Sequence, residues 1–239
     1  RRMLSVVVRG ARAAAFVRER ARPGDLITFA PSWIDPVGRL HLGEHLSLED
    51  AGRADAARYA RVWVLSIRDA SSADVAGERP ALTSRLDGIL VRRYDRTAAV
   101  IVEDAARSLP TAQVTGDVAS GPQVVLAEVG FTPRRCVQVV PAAGGAVRIT
   151  FPRFALGSQL VAYAGLADVF TRRDIREPGR LELELAGQVI AARELGVDDG
   201  WVRLQARTTP GVAELTVIAR APSPRAHRRQ ICFAVESRR

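Results

Sequence analysis

At 239 residues, with 47% apolar and 26% charged positions, the chain is long enough for one large or two ordinary domains and is globular rather than disordered in composition. No apolar run approaches the roughly 18 residues needed to span a bilayer, and Leu4-Ser5-Val6-Val7-Val8 is too short for a signal-peptide core. The net charge of +9 does not point to nucleic acid: all 35 basic residues are Arg, they are scattered among acids, and aromatic residues for base stacking are only 5%.

In chain order, Ala11 to Ala21 has helical composition and stops at the breaker pair Pro23-Gly24. Asp25 to Ala30 reads as a short buried strand ended by Pro31, followed by a polar, glycine-containing stretch from Ser32 to Leu46. Ser47-Leu48-Glu49-Asp50 has the form of a helix start, with the helix predicted to reach about Tyr59. Arg61 to Ile67 is continuously apolar and β-branched, as in a strand covered on both faces. Strand, helix, strand predicts a βαβ unit with a parallel pair. Ile89–Asp95 and Ala98–Glu103 are predicted to form a hairpin around Arg96-Thr97, and 115–122 reads as a linker.

After residue 122 the period shortens. Strands are predicted at Val124–Val129, Cys136–Val140, Val147–Phe151, Leu160–Tyr163, Leu181–Leu185, Val189–Ala192, Trp201–Gln205, Glu214–Ala219 and Ile231–Val235, with turns such as Ala186-Gly187 and Asp198-Asp199-Gly200 between them. The expected fold class is therefore an α/β N-terminal domain over 1–115, followed by an all-β sandwich or jelly roll over 122–239.

The stretch richest in reactive side chains runs from Pro31 to His45. It follows the C-terminal end of a predicted parallel strand, where open α/β sheets place their ligands, and it contains Trp33, Asp35, Arg39, His41, Glu44 and His45. Asp35 and Arg39 either pair to shape the loop or join His41 in a site. His41-x-x-Glu44-His45 has the order of the inverted zinc-protease motif. Gly38 and Gly43 argue against a regular helix there, and no third ligand stands in a recognisable context, so no metal is expected. No G-x-S-x-G, P-loop or G-x-G-x-x-G occurs, and the expectation is no cofactor and no complete catalytic motif.

In the second half, the loops carrying Arg172-Arg173-Asp174 and Asp199 are the candidate ligand-binding positions, for a glycan or Ca²⁺ at one end of the sandwich, against the plainer and favoured reading of Asp198-Asp199-Gly200 as a tight turn with Trp201 in the core. Cys136 and Cys232 fall on the first and last confident strands. Terminal strands of such sandwiches tend to pair, so a Cys136–Cys232 disulfide is predicted, with buried free thiols as the alternative.

Phe16-Val17-Arg18, Pro23-Gly24-Asp25-Leu26-Ile27, Pro31-Ser32-Trp33 and Tyr59-Ala60-Arg61-Val62-Trp63-Val64 make residues 13–67 resemble the soluble region of bacterial membrane-embedded glycosyltransferases that use lipid-linked sugars. The second half looks like a galactose-binding-like jelly roll. In that family the acids acting on the sugar donor lie in the membrane bundle, so the resemblance carries no catalytic residue over to this chain. It implies a non-catalytic accessory module in the periplasm or another extracytoplasmic space, with carbohydrate as the candidate partner. Since the sequence begins with Arg1 rather than Met, a membrane-embedded or targeting segment upstream is part of that expectation. The rival is a small hydrolase or transferase with its site between Trp33 and His45.

Overall fold

A computed structural model describes residues 2–45, 55–167, 177–225 and 229–239. The chain divides into two compact units, Arg1–Ala99 and Val100–Arg239.

In the first unit, helix α1 (Arg2–Arg18) precedes strand β1 (Leu26–Ala30), helix α2 (Asp35–Leu42), and strands β2 (Arg61–Ile67), β3 (Leu82–Leu86) and β4 (Ile89–Asp95). The sheet order is β1-β2-β4-β3. β1 and β2 run parallel with Leu26 opposite Val62, and the other pairs are antiparallel. The apolar run of β2 serves two cores. Trp63, Leu65 and Ile67 pack with Ala13, Ala14 and Val17 of α1 and Leu42 of α2, while Val62 and Val64 pack with Leu26, Ala56, Val75 and Tyr94. Trp63 is fully buried, and its indole N–H is satisfied by Asp25 Oδ2 at 2.7 Å. The same carboxylate oxygen accepts the Arg22 backbone N–H and lies 3.3 Å from Arg61. Of the helix predicted from Ser47 to Tyr59, residues 47–54 lie outside the described residues, and the remainder is a 3₁₀ turn, Ala56–Arg58.

Two expectations are corrected here. β4 forms its hairpin with β3, not with the segment that follows it. The reason is the dipeptide Asp87-Gly88: both residues have positive φ (50° and 84°), the backbone that a two-residue turn between right-twisted strands requires. The expected partner strand instead becomes β5 (Ile101–Asp104), which pairs with the last strand of the second unit. The expected linker at 115–122 is also strand, and the units divide between Ala99 and Val100 rather than near residue 115.

The second unit continues with a helical turn α3 (Ala105–Ser108) and strands β6 (Gln113–Gly116), β7 (Val118–Val129), β8 (Thr132–Pro141), β9 (Ala146–Leu156), β10 (Gln159–Leu166), β11 (Gly179–Leu185), β12 (Gln188–Leu195), β13 (Val202–Arg207), β14 (Gly211–Arg220) and β15 (Ile231–Arg238). They form a β-sandwich of two antiparallel sheets. One has the order β13-β10-β15-β8-β7, with β5 also on β15, and the other the order β12-β11-β14-β9-β6. Alternate residues of both sheets meet in one core, including Val137, Ile149, Phe151, Leu160, Leu181, Leu183, Val217 and Phe233. Phe151 and Phe154 meet edge to face with centroids 5.7 Å apart.

The β7–β8 hairpin does not stay in its sheet. β8 pairs with β15 only over Val137–Val139. Beyond that point the hairpin tip crosses the outer face: Arg134 stacks on Tyr163 of β10, and the Thr132 carbonyl accepts the Trp201 indole N–H at 2.7 Å. Tyr163 alternates with the core residues Ala162 and Ala164, so it faces outward, beneath the hairpin.

Candidate functional site

The segment from Pro31 to His45 is more regular than its glycines suggest. Pro31 leads into a 3₁₀ turn, Ser32–Ile34; α2 follows, with Pro36 in its first turn, where a missing N–H costs nothing. Gly38 does not break α2. It lets the helix lie on the Phe29 ring, because a Cβ at this position would come within 2.1 Å of Phe29 Cε1. Likewise Gly10 of α1 faces the His41 imidazole, where a Cβ would sit 2.9 Å from Nε2. The expectation against a regular helix is therefore corrected at Gly38, which lies inside α2, whereas the α-helix ends at Leu42 and Gly43–His45 is a 3₁₀ turn.

Helical spacing also separates the candidate residues. Asp35 and Arg39, one turn apart, form an ion pair with each other. His41 lies on a different face. It lines a small apolar cavity of about 40 Å³ with Ala13, Ala14, Phe29, Ile34 and Leu42, and among the described residues its Nε2 has no hydrogen-bond partner. Glu44 pairs with Arg18 at 2.9 Å. Trp33 is 46% exposed. Asp35 thus faces a guanidinium rather than an imidazole, and no base with an orienting partner is assembled from Trp33, Asp35, Arg39 and His41. The side chain of His45 lies outside the described residues. Among those residues no group of three or more His, Cys, Asp or Glu side chains is placed to hold a metal.

Arg172, Arg173 and Asp174 lie outside the described residues. Asp199 caps its own turn, accepting the Gly196 backbone N–H at 2.7 Å. That turn lies against the β7–β8 turn: a Cβ on Gly130 would be 3.4 Å from Gly200 Cα. The contact sets the hairpin tip that carries Phe131, absent from the sequence-based candidates, against the turn that follows Asp198 and Asp199. Gly130 and Phe131 form a two-residue turn with φ of 58° and 63°. The second position of such a turn favours Gly, Asn or Asp, and a bulky residue there costs on the order of 1–3 kcal/mol. Phe131 is nonetheless 48% exposed, so about half of its side chain stays open to solvent. The signal in the sequence was an aromatic residue at a hairpin tip, Val129-Gly130-Phe131-Thr132, where a core role is impossible.

The predicted disulfide is absent. Cys136 and Cys232 are both free and fully buried. The pairing of Cys232 with Gln138 sets Cys136 diagonally across from Cys232 on the outer face of the sheet, where both pack with Ala127 of β7. Diagonal neighbours on adjacent strands are wider apart than directly opposed residues, and the two thiols pack and hydrogen-bond instead of bonding covalently. The Cys136 thiol is pushed far up by that hydrogen bond to Cys232 and by burial.

The sequence matches no protein-family model and no curated protein. Among solved structures, the chain is similar to the second family-51 carbohydrate-binding module, bound to GlcNAc, with the INT domains of ZmpB from Clostridium perfringens: 15% identity over 73% of this chain and 40% of that one, TM-score 0.39. A family-51 module from the C. perfringens GH95 protein, bound to methyl-galactose, aligns at 9% identity over 58% of this chain and 99% of its own, TM-score 0.36. The K3 adhesin domain of Lys-gingipain from Porphyromonas gingivalis W83 aligns at 11% identity over 59% and 98%, TM-score 0.34. This chain spans only 29% and 40% of the two ZmpB structures that contain the second module with the INT domains. Fold does not carry function, and a ligand for this sandwich has to come from its own residues.

Proposed function

We propose that the β-sandwich is a glycan-binding module whose site is the paired turn of Phe131 and Asp198-Asp199. The observation that supports this is the hairpin tip of Gly130 and the strained, exposed Phe131, packed through Gly130 on Gly200 of a turn that bears two exposed carboxylates. A pyranose has an apolar C–H face that stacks on an aromatic ring, and hydroxyls that donate to carboxylate oxygens. Both turns are anchored to rigid strands, Trp201 fixing one to the other through Thr132, so the site is held in place before a ligand arrives. A binding role fits the first unit as well, where Asp35 is engaged by Arg39 and His41 lies in an apolar cavity. The reading extends to an extracytoplasmic accessory role beside a glycosyltransferase-like protein. That extension rests on the resemblance of residues 13–67 and draws nothing from the cysteines.

Isothermal titration with methyl-galactoside and GlcNAc, after a glycan-array screen, tests the proposal. The Phe131→Gly variant relieves the backbone strain and removes the ring. It is expected to be as stable as the parent or more so, and to bind at least about tenfold more weakly. An array without hits, or equal binding by Phe131→Gly, refutes the assignment.

A further inference from the structure

We propose that the open edge of the sandwich is a second binding site, for an aliphatic carboxylate. β6 and β7 are the edge strands of the two sheets. Between them, with α3 and the turn Leu109–Thr111 along one side, runs a groove of about 730 Å³. That volume is within the roughly 300–1,000 Å³ typical of small-molecule sites.

The lining decides the ligand. Ala106, Leu109, Pro110, Val114, Pro122 and Val124 are aliphatic, and the only polar side chains among the lining residues are Arg107 and Arg135. Leu109 and Val124 are half-buried and pack on the main core, so the floor of the groove is continuous with the apolar interior between the sheets. Pro110 and Pro122 contribute no backbone N–H. A saccharide would leave most of its hydroxyls unpaired against such a wall, whereas an alkyl chain is matched by it. The two guanidiniums supply the other half of the recognition. Among the described residues neither Arg107 nor Arg135 has an acidic partner, and a guanidinium fork matches a carboxylate bidentately. An alkyl chain lying on Leu109 and Val124, with its carboxylate toward Arg107 and Arg135, matches both the aliphatic wall and the two cations of the groove.

The test is titration calorimetry of the full chain with decanoate, kept below its micellar range, with 1-decanol and glucuronate as comparison ligands. Decanoate is expected to bind one to one. The double variant Arg107→Gln/Arg135→Gln should weaken decanoate by about tenfold or more while leaving decanol unchanged. Val124→Trp, which fills the groove, should abolish decanoate binding, and Phe131→Gly should leave it unaltered, separating this site from the glycan site. The proposal is overturned by absence of decanoate binding, by equal decanoate affinity in parent and double variant, or by glucuronate binding in the groove in preference to decanoate.

Discussion

The guanidinium of Arg134 lies over the ring of Tyr163, its Cζ 4.1 Å from the ring centroid, although β8 and β10 are separated in their sheet by β15. The contact exists because the β7–β8 hairpin folds back across the sheet, and the Trp201 ring also lies 5.7 Å from the same Cζ. At 5% exposure this cation is largely desolvated, where a cation–π contact is worth about 2 kcal/mol. Arg134→Leu is expected to lower the unfolding free energy by that order in urea titrations. Arg134→Lys should recover less than half of the loss, because an ammonium lacks the planar face that stacks. Equal stability of Arg134→Leu and parent would show that the hairpin is held by Trp201 and the backbone alone.

The contact between Gly38 and Phe29 predicts an overpacking penalty with a specific remedy. In Gly38→Ala the new methyl meets the Phe29 ring, which has to move within a buried cluster, at a cost of about 1–3 kcal/mol. Adding Phe29→Leu should restore part of it. If helix propensity governed this site instead, Gly38→Ala alone would stabilise the protein, which a thermal melt reads directly.

Glu182 lies on the outer face of the sandwich between Arg180 at 2.7 Å and Arg220 at 3.2 Å. Burial pushes its carboxyl pKa up, but the hydrogen bonds and charges of the two arginines outweigh that, and the net displacement is downward from the ordinary 4.5. A carboxyl depressed on folding contributes stability above its unfolded pKa and loses it as pH falls through the folded value. Glu182→Gln should therefore be less stable than the parent at neutral pH, with the difference shrinking as pH is lowered below about 4.5. A difference that stays constant between pH 7 and pH 3 would assign the loss to packing.

Cys136 and Cys232 are expected to resist iodoacetamide in the native state, since both are fully buried and the Cys136 thiol is held in its protonated form. In denaturant without reductant both should alkylate, read by intact mass. A species that alkylates only after reduction would restore the disulfide predicted from strand order.

The boundaries between what was legible in the sequence and what was not follow the range of the interactions. Strand positions were legible wherever a local period set them: the runs at 61–67, 181–185 and 231–235 lie within β2, β11 and β15, because alternating or continuous burial leaves its mark on consecutive residues. The Ala186-Gly187 turn was legible for the same reason, as positive φ demands particular residues. Strand partnership was less so. Ile101–Asp104 is as good a partner for β4 by composition as for β15, and only the Asp87-Gly88 turn and the closing of the sandwich choose between them. The candidate residues at 33–45 illustrate the same limit. Their identities were plain, but whether Asp35 meets His41 or Arg39 depends on α2, whose Gly38 lies against the Phe29 ring. The sequence by itself determined the alphabet of strands and turns, since these rest on residues within a few positions of one another. Only the tertiary structure decided that the hairpin tip carrying Phe131 meets the turn at Gly200 and that the two cysteines lie diagonally, because both depend on pairings about seventy and one hundred residues apart, where no local pattern records the distance.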